Sequence, residues 1–391
     1  MFNNGSKQLI LLSSSYFIFV FCSLAVIGVL SLMSSDISAS TEDLAGLITS
    51  FSMSYAATAI CAPLFIKRFT SRDVLITGLV GITLGSLALA AANNLLYAHI
   101  ARVVQGASAA LIGPTASTIA FSLAAPENRG RALGLVFAGT TVAMVLGVPV
   151  ALYIGSWSTW RLVYLLIAVI SALCALISLF SIPKGEAPSS ALTFSSFVRK
   201  ALSPIVSLTL LTTFFRLAAQ FAFYTLIGRV LVEYLGFSIS VVGLILFGYG
   251  VAGVVGAFIS GPVVDRLGAI KSLRGINLLT LVAFFWLVQL NGTSAWYSVA
   301  LSFFFWGVVG LMFSTPQQKF LSELEKTDFS AVLSLNAAFL YIGMAAGGVV
   351  AAKVASTLGL HALAWAGLIL VTFSIATSEL GFFVARRQEG I

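Results

Sequence analysis

The chain reads as long apolar runs separated by short polar intervals, and the runs recur almost to its last residue. Twelve of them are about the length at which a helix, rising 1.5 Å per residue, crosses roughly 30 Å of hydrocarbon. The predicted spans are 9 to 33, 44 to 66, 74 to 92, 96 to 124, 132 to 154 and 161 to 182, then 203 to 232, 239 to 263, 274 to 291, 296 to 318, 330 to 357 and 361 to 384. One interval stands apart. Ile182 to Ser203 carries Pro183, Lys184, Gly185, Glu186, Pro188, two serine pairs, and Arg199 with Lys200. Such a stretch predicts a polar linker, 183–202, between one six-helix half at 1–182 and a second at 203–391.

Composition narrows the class. A chain of 391 residues that is 59% hydrophobic and 9% charged, with a mean hydropathy of +1.05, excludes a soluble domain and predicts an all-α membrane protein. Orientation follows from the bases, because Lys and Arg flanking spans stay on the cytoplasmic side. With the amino terminus inside, the inner segments hold Lys7, Lys67, Arg68, Arg72, Arg129, Arg131, Lys184, Arg199, Lys200, Arg266, Lys271, Arg274, Lys319, Lys326, Arg386 and Arg387, sixteen of the 21 bases. Both termini are therefore expected to be cytoplasmic. The net charge of +8 follows from this asymmetry, so no nucleic-acid partner is read from it. Residues 9 to 33 exceed a signal peptide's apolar core, which predicts an uncleaved first span. Cys22, Cys61 and Cys174 are isolated and match no metal-ligand spacing, so no metal or cofactor is expected. No GxxxxGK[ST] loop is present, which argues against ATP-driven pumping.

Several short patterns carry more information together than apart. Gly261, Pro262, Val263, Val264, Asp265, Arg266, Leu267 and Gly268 lie between the eighth and ninth spans. There Gly261 would permit close helix approach, Asp265 would cap the next helix or hold a cation, and Gly268 would permit a tight turn. The fourth span holds Arg102, Gln105, Gly106, Ala109 and Ala110; the fifth holds Gly134, Gly139, Gly147, Val148, Pro149 and Gly155. These resemble, in turn, the GxLxDRxG loop, the RxxQGxxxA pattern and the antiporter-type GxxxxxxxGxP helix of the major facilitator superfamily of secondary transporters. Phe221 to Thr225 in the seventh span, and Ser334 to Phe339 leading to Gly343 in the eleventh, resemble the branch containing sugar, nucleoside and drug efflux proteins. There are departures. Val263 replaces the usual leucine, Val150 and Ala151 follow Pro149 where another glycine is usual, and the first-half counterpart, Ala62 to Arg68, lacks the glycine and the aspartate.

The resemblance implies a major facilitator fold of twelve transmembrane helices in two six-helix halves, with substrate bound between the repeats near mid-membrane. A faint duplication agrees: Ala62 and Pro63 sit 199 residues before Gly261 and Pro262, and the same offset carries Gly147 into the run Gly343, Gly347, Gly348. It further implies a monomeric secondary carrier of the inner (plasma) membrane, working by alternating access, that exports a sugar, nucleoside, metabolite or drug in exchange for protons. A proton-independent facilitator stays open. A channel, a receptor and an intramembrane enzyme are rivals, the last weakened by the lack of clustered acids or an HExxH pair.

Arg216, Gln220 and Tyr224 recur at i, i+4 and i+8, on one face of the seventh helix. A cation at that depth is functional by default, or else paired structurally with a neighbouring helix. With Asn336, Arg102 and Gln105 they form the expected substrate-binding set; Tyr55, Tyr341 and Gln289 are weaker candidates. Arg102 should face a cavity or a partner, unless it snorkels to the interface. Gly261, Asp265, Arg266, Gly268, Gly139, Gly147 and Pro149 are the expected gating and packing positions. No acid falls plainly at mid-membrane. Proton coupling would then use Asp36, Glu233 or Glu379 near helix ends, or His99 or His361, or be absent, and the excess of intramembrane base points to a neutral or anionic substrate.

Overall fold

A computed structural model describes residues 4–65, 69–125, 128–184, 202–324 and 329–388. Most of the polar linker, and Lys67 and Arg68 of the altered first-half motif, lie outside the described residues. The first six helices are α1 (Asn4–Ile37), α2 (Thr41–Phe65), α3 (Ser71–Ala90), α4 (Leu95–Leu123), α5 (Arg129–Trp157) and α6 (Trp160–Ser181). The second six are α7 (Pro204–Tyr224), α8 (Ile239–Leu267), α9 (Ala269–Val288), α10 (Trp296–Met312, resuming as Ser314–Leu324), α11 (Phe329–Leu358) and α12 (Ala362–Gln388). Among the described residues, twelve helical segments are long and apolar enough to span a bilayer. The protein is a multi-pass membrane protein.

Local chemistry explains several of the boundaries. Thr70, Asn94 and Thr159 accept backbone N–H bonds at the starts of α3, α4 and α6, satisfying donors that no helical turn can reach. Most span ends move by a few residues from the sequence reading, and two boundaries differ in kind. The predicted 203 to 232 span is helical only to Tyr224, then continues as a single turn at Ile227–Arg229 and a π-helical turn at Val230–Tyr234. The segment read as a loop from Gly261 is instead the last two turns of α8, and Gly268 alone makes the turn. Its φ of 78° suits a residue without a side chain, and its N–H bonds the Val264 carbonyl at 2.9 Å.

The helices fall into two compact units, Met1–Ala191 and Leu192–Ile391. In the first, α1 packs along α5, α4 against α2 and α3, and α3 against α6. In the second, α7 lies against α11 and α12, and α8 against α10. The pairs α1–α5 and α7–α11 correspond after a shift of six helices. Both are backbone-close: a β-carbon at Gly139 would sit 1.9 Å from the Ser13 carbonyl oxygen, and one at Gly343 would sit 2.4 Å from that of Phe214. Large apolar side chains such as Leu84, Phe180, Phe258 and Leu278 project more than half exposed from the helices, a surface suited to lipid and costly in water.

Two local devices hold helix ends and breaks. At one end of the first unit, Arg161 on α6 bonds Asp36 of α1, donates to the Ala92 carbonyl after α3 at 3.0 Å, and lies over Trp160. Trp160 itself donates to Asp36 at 2.9 Å. In the second unit α10 breaks at Phe313, and Pro316 lacks the N–H that would have reached the Met312 carbonyl. The Ser260 hydroxyl of α8 donates to that carbonyl at 2.8 Å instead, in a buried setting.

The α1–α5 seam separates two glycines that looked alike in sequence. A β-carbon at Gly147 would meet Phe21 Cδ2 at 3.5 Å, an ordinary contact, whereas the one at Gly139 collides with backbone. Gly139→Ala is expected to destabilise the protein by about 1–3 kcal/mol, the cost of overpacking, with Gly147→Ala nearly neutral; thermal unfolding of the two purified variants in detergent checks the difference.

Candidate functional site

Two arginines are buried within spans, and the structure treats them differently. Arg102 on α4 is fully buried and every guanidinium nitrogen is engaged. Its Nε donates to the Leu47 carbonyl at 3.2 Å, Nη1 to the Cys22 carbonyl and to Gln105 Oε1, both at 2.9 Å, and Nη2 to the Ser23 carbonyl at 3.3 Å. The Phe51 ring lies beneath it, 4.4 Å from the guanidinium carbon. Gln105 passes the chain on, its Nε2 donating to Ser86 at 3.0 Å. Arg102 does not snorkel: it braces α4 against the backbones of α1 and α2, so its partners are carbonyl dipoles rather than an acid.

Arg216 lies roughly 18 Å along α7 at 1.5 Å per residue. It is 3% exposed and among the described residues makes one hydrogen bond, from Nη2 to the Val309 carbonyl of α10 at 3.1 Å. The Phe313 ring lies 5.4 Å away, and its Nε has no partner among the described residues. Gln220 packs beside the next residue of α10, its amide nitrogen 3.2 Å from where a Gly310 β-carbon would stand, and it donates to the Tyr249 hydroxyl of α8. Tyr249 stacks on Tyr224 with centroids 5.1 Å apart and lies 4.8 Å from Trp306. Trp306 is fully buried and its indole N–H is also without a partner among the described residues. One patch of the second unit thus joins a buried cation with an open donor, an amide, a phenol and three aromatic rings. Donors outnumber acceptors there, which suits a planar ligand that brings acceptors of its own.

The other expected residues are distributed as follows. Asn336, on α11, meets α7 one turn before Arg216, where it accepts from Thr213 at 2.6 Å while Thr213 accepts from Gln317 at 2.9 Å. Gln289 is exposed, just past the end of α9. Gly139, Gly147 and Pro149 belong to α5 and its seam with α1. At the end of α8, Asp265 neither caps nor packs: it is exposed and lies 3.8 Å from Lys319. Arg266 is exposed as well, and a β-carbon at Gly261 would meet no atom within 4 Å, so close helix approach is not its use in this structure. Among the described residues no aspartate or glutamate is buried. The three acids near helix ends are each in an ion pair, Asp36 with Arg161, Glu233 with Arg229, and Glu379 with Arg274.

Sequence reasoning missed Tyr249, Trp306, Thr213 and Gln317. Thr213 was within reach, since it precedes Arg216 by three residues on the same helix face. Tyr249 and Trp306 sit among apolar neighbours where an aromatic residue gives no pattern.

Comparison with known proteins agrees with this architecture. The sequence profile of the Major Facilitator Superfamily matches residues 12–227 and 208–390. An uncharacterized MFS-type transporter of Bacillus subtilis (strain 168), YbcL, is 24% identical over 341 residues, covering 86% of this chain and 85% of its own. The purine ribonucleoside efflux pump NepI of Shigella sonnei (strain Ss046) is 28% identical over 233 residues, 58% of each chain. Among solved structures, a mutant of the nucleoside transporter NupG aligns over 97% of this chain and 99% of its own with a TM-score of 0.76. A bacterial homolog of the human lysosomal transporter Spinster aligns over 99% and 98% with a TM-score of 0.73. At 15% identity each, these two likenesses bear on the fold alone. The profile covers both six-helix units, and the chain belongs to the Major Facilitator Superfamily of transporters.

Proposed function

We propose that this transporter exports a small polar molecule with a planar ring, of the purine nucleoside class, by alternating access and in exchange for protons. The carrying observation is the patch at Arg216, Gln220, Tyr224, Tyr249 and Trp306, where unpaired donors and aromatic faces converge on one side of α7. Stacking faces hold a flat base, and the amide, phenol and guanidinium read its edge. Asn336 extends the polar lining by one turn. Arg102 and Gln105, with every side-chain nitrogen hydrogen-bonded, brace the first unit. The likeness to a purine ribonucleoside efflux pump supports both the substrate class and the outward direction.

In this reading the carrier is a monomer of the inner (plasma) membrane with both termini in the cytoplasm, supported by the base-rich inner segments. The seam at Gly139, Gly147 and Pro149 limits leak, and Asp265 and Arg266 stabilise one end state by charge pairing when the inner gate is closed. A proton-independent facilitator is the second reading, favoured by the lack of a buried carboxylate among the described residues.

Two outcomes are expected. Liposomes carrying the purified protein exchange labelled inosine or adenosine, and accumulate it only under an imposed pH gradient; Arg216→Ala lowers the exchange rate about tenfold or more, as loss of a charge-assisted bond would. Equilibration that ignores pH selects the facilitator, and absence of nucleoside exchange sinks the substrate class. The two arginines also part in stability. Arg102→Met strips bonds from four buried acceptors and is expected to cost about 1–3 kcal/mol, whereas Arg216→Met removes an uncompensated charge and leaves thermal stability unchanged or raised.

A further inference from the structure

A guanidinium taken out of water must be answered by carbonyls, rings or an anion. Arg102 is answered in full by the chain itself. Arg216 is not: among the described residues one backbone carbonyl accepts from it, the Phe313 ring face lies 5.4 Å from it against 4.4 Å for Phe51 and Arg102, its Nε points at no acceptor, and it is 3% exposed. The acids of the second unit that enter ion pairs among the described residues are Glu233, Asp265 and Glu379, each already beside a base, Arg229, Lys319 or Arg274. The groups next to Arg216 add donors rather than charge. Gln220 gives its amide hydrogen to Tyr249, which leaves the Tyr249 O–H free to donate elsewhere, and the buried Trp306 N–H is unspent.

We propose that the missing counter-charge arrives with the cargo: Arg216 is an anion-binding group, and the site takes a flat ring bearing one negative charge. This rests on the reading of the same patch as the substrate site and parts from it on charge: inosine and adenosine are neutral, so an anionic ring is the rival occupant of that patch. The anion would sit against Nε and the free Nη hydrogens, with its ring beside Tyr249, which is part-exposed where Tyr224 and Trp306 are buried behind it. Selectivity follows from desolvation. An anionic ring cancels a buried cation on entry, a neutral ring leaves it standing, and a cationic one doubles the buried charge.

The test uses the full chain in detergent and two probes of nearly one shape, benzoate and benzamide. Benzoate is expected to raise the melting temperature saturably, with a midpoint about tenfold lower than that of benzamide. Arg216→Gln is expected to lose that difference while melting, without ligand, no lower than the parent protein; Arg216→Lys is expected to keep part of it. Equal stabilisation by the two probes, no saturable stabilisation by benzoate, or a benzoate advantage that persists in Arg216→Gln overturns the proposal. The nucleoside reading is judged separately by exchange. Benzoate binding through Arg216 without nucleoside exchange overturns that reading and leaves this one, and nucleoside exchange without an anion preference does the reverse.

Discussion

Charge inside hydrocarbon is the constraint on which this structure turns. Water is absent from the middle of a span, so each buried polar group must find its partner in protein. Among the described residues the chain meets this rule largely with short side chains: Ser15, Ser178 and Thr280 return their hydroxyls to carbonyls a turn earlier, Ser171 reaches the Leu79 carbonyl of another helix, and Tyr16 reaches the Gly113 carbonyl at 2.8 Å. Arginine is the demanding case. Satisfying Arg102 took three backbone carbonyls from two other helices, a glutamine and a phenylalanine ring, and that assembly ties α1, α2 and α4 together more specifically than apolar packing could.

The same chemistry explains how the two units divide their labour. The first unit spends its buried cation on holding helices, while in the second unit the comparable residue keeps donors in reserve and sits among rings. Both units rely on backbone contact at glycine for their principal helix pairs, so the difference lies in the polar side chains laid over a shared scaffold.

Most of the fold was legible in the sequence because hydrocarbon thickness sets one length for every span, and the apolar runs repeat it. Span ends shifted by only a few residues, except where local backbone chemistry intervened: the π turn after Tyr224 and the helical course of Gly261 to Leu267 have no signature in hydropathy. The site was legible in part. The spacing of Arg216, Gln220 and Tyr224 placed them on one helix face, and that face does meet Tyr249 and α10. Their partners were hidden because contacts between helices depend on rotation about each axis, which a periodic apolar pattern leaves open when the helix is apolar on nearly every side. Arg102 and Arg216 could not be told apart for the same reason. Both are lone bases in a run, and only the neighbouring backbone decides which of them is satisfied.

The break in α10 ties two helices together through their sequences as well as their surfaces. Pro316 withholds a hydrogen bond that its own helix would have made, and Ser260 of α8 supplies the replacement. Neither position can therefore be judged alone. Without the proline, the Met312 carbonyl would take an ordinary helical N–H and no longer depend on the serine; without the serine, that carbonyl is stranded away from water. The joint is shared property of α8 and α10, and any rearrangement that straightens or sharpens α10 must be felt in α8, one turn from the exposed Asp265 that faces Lys319.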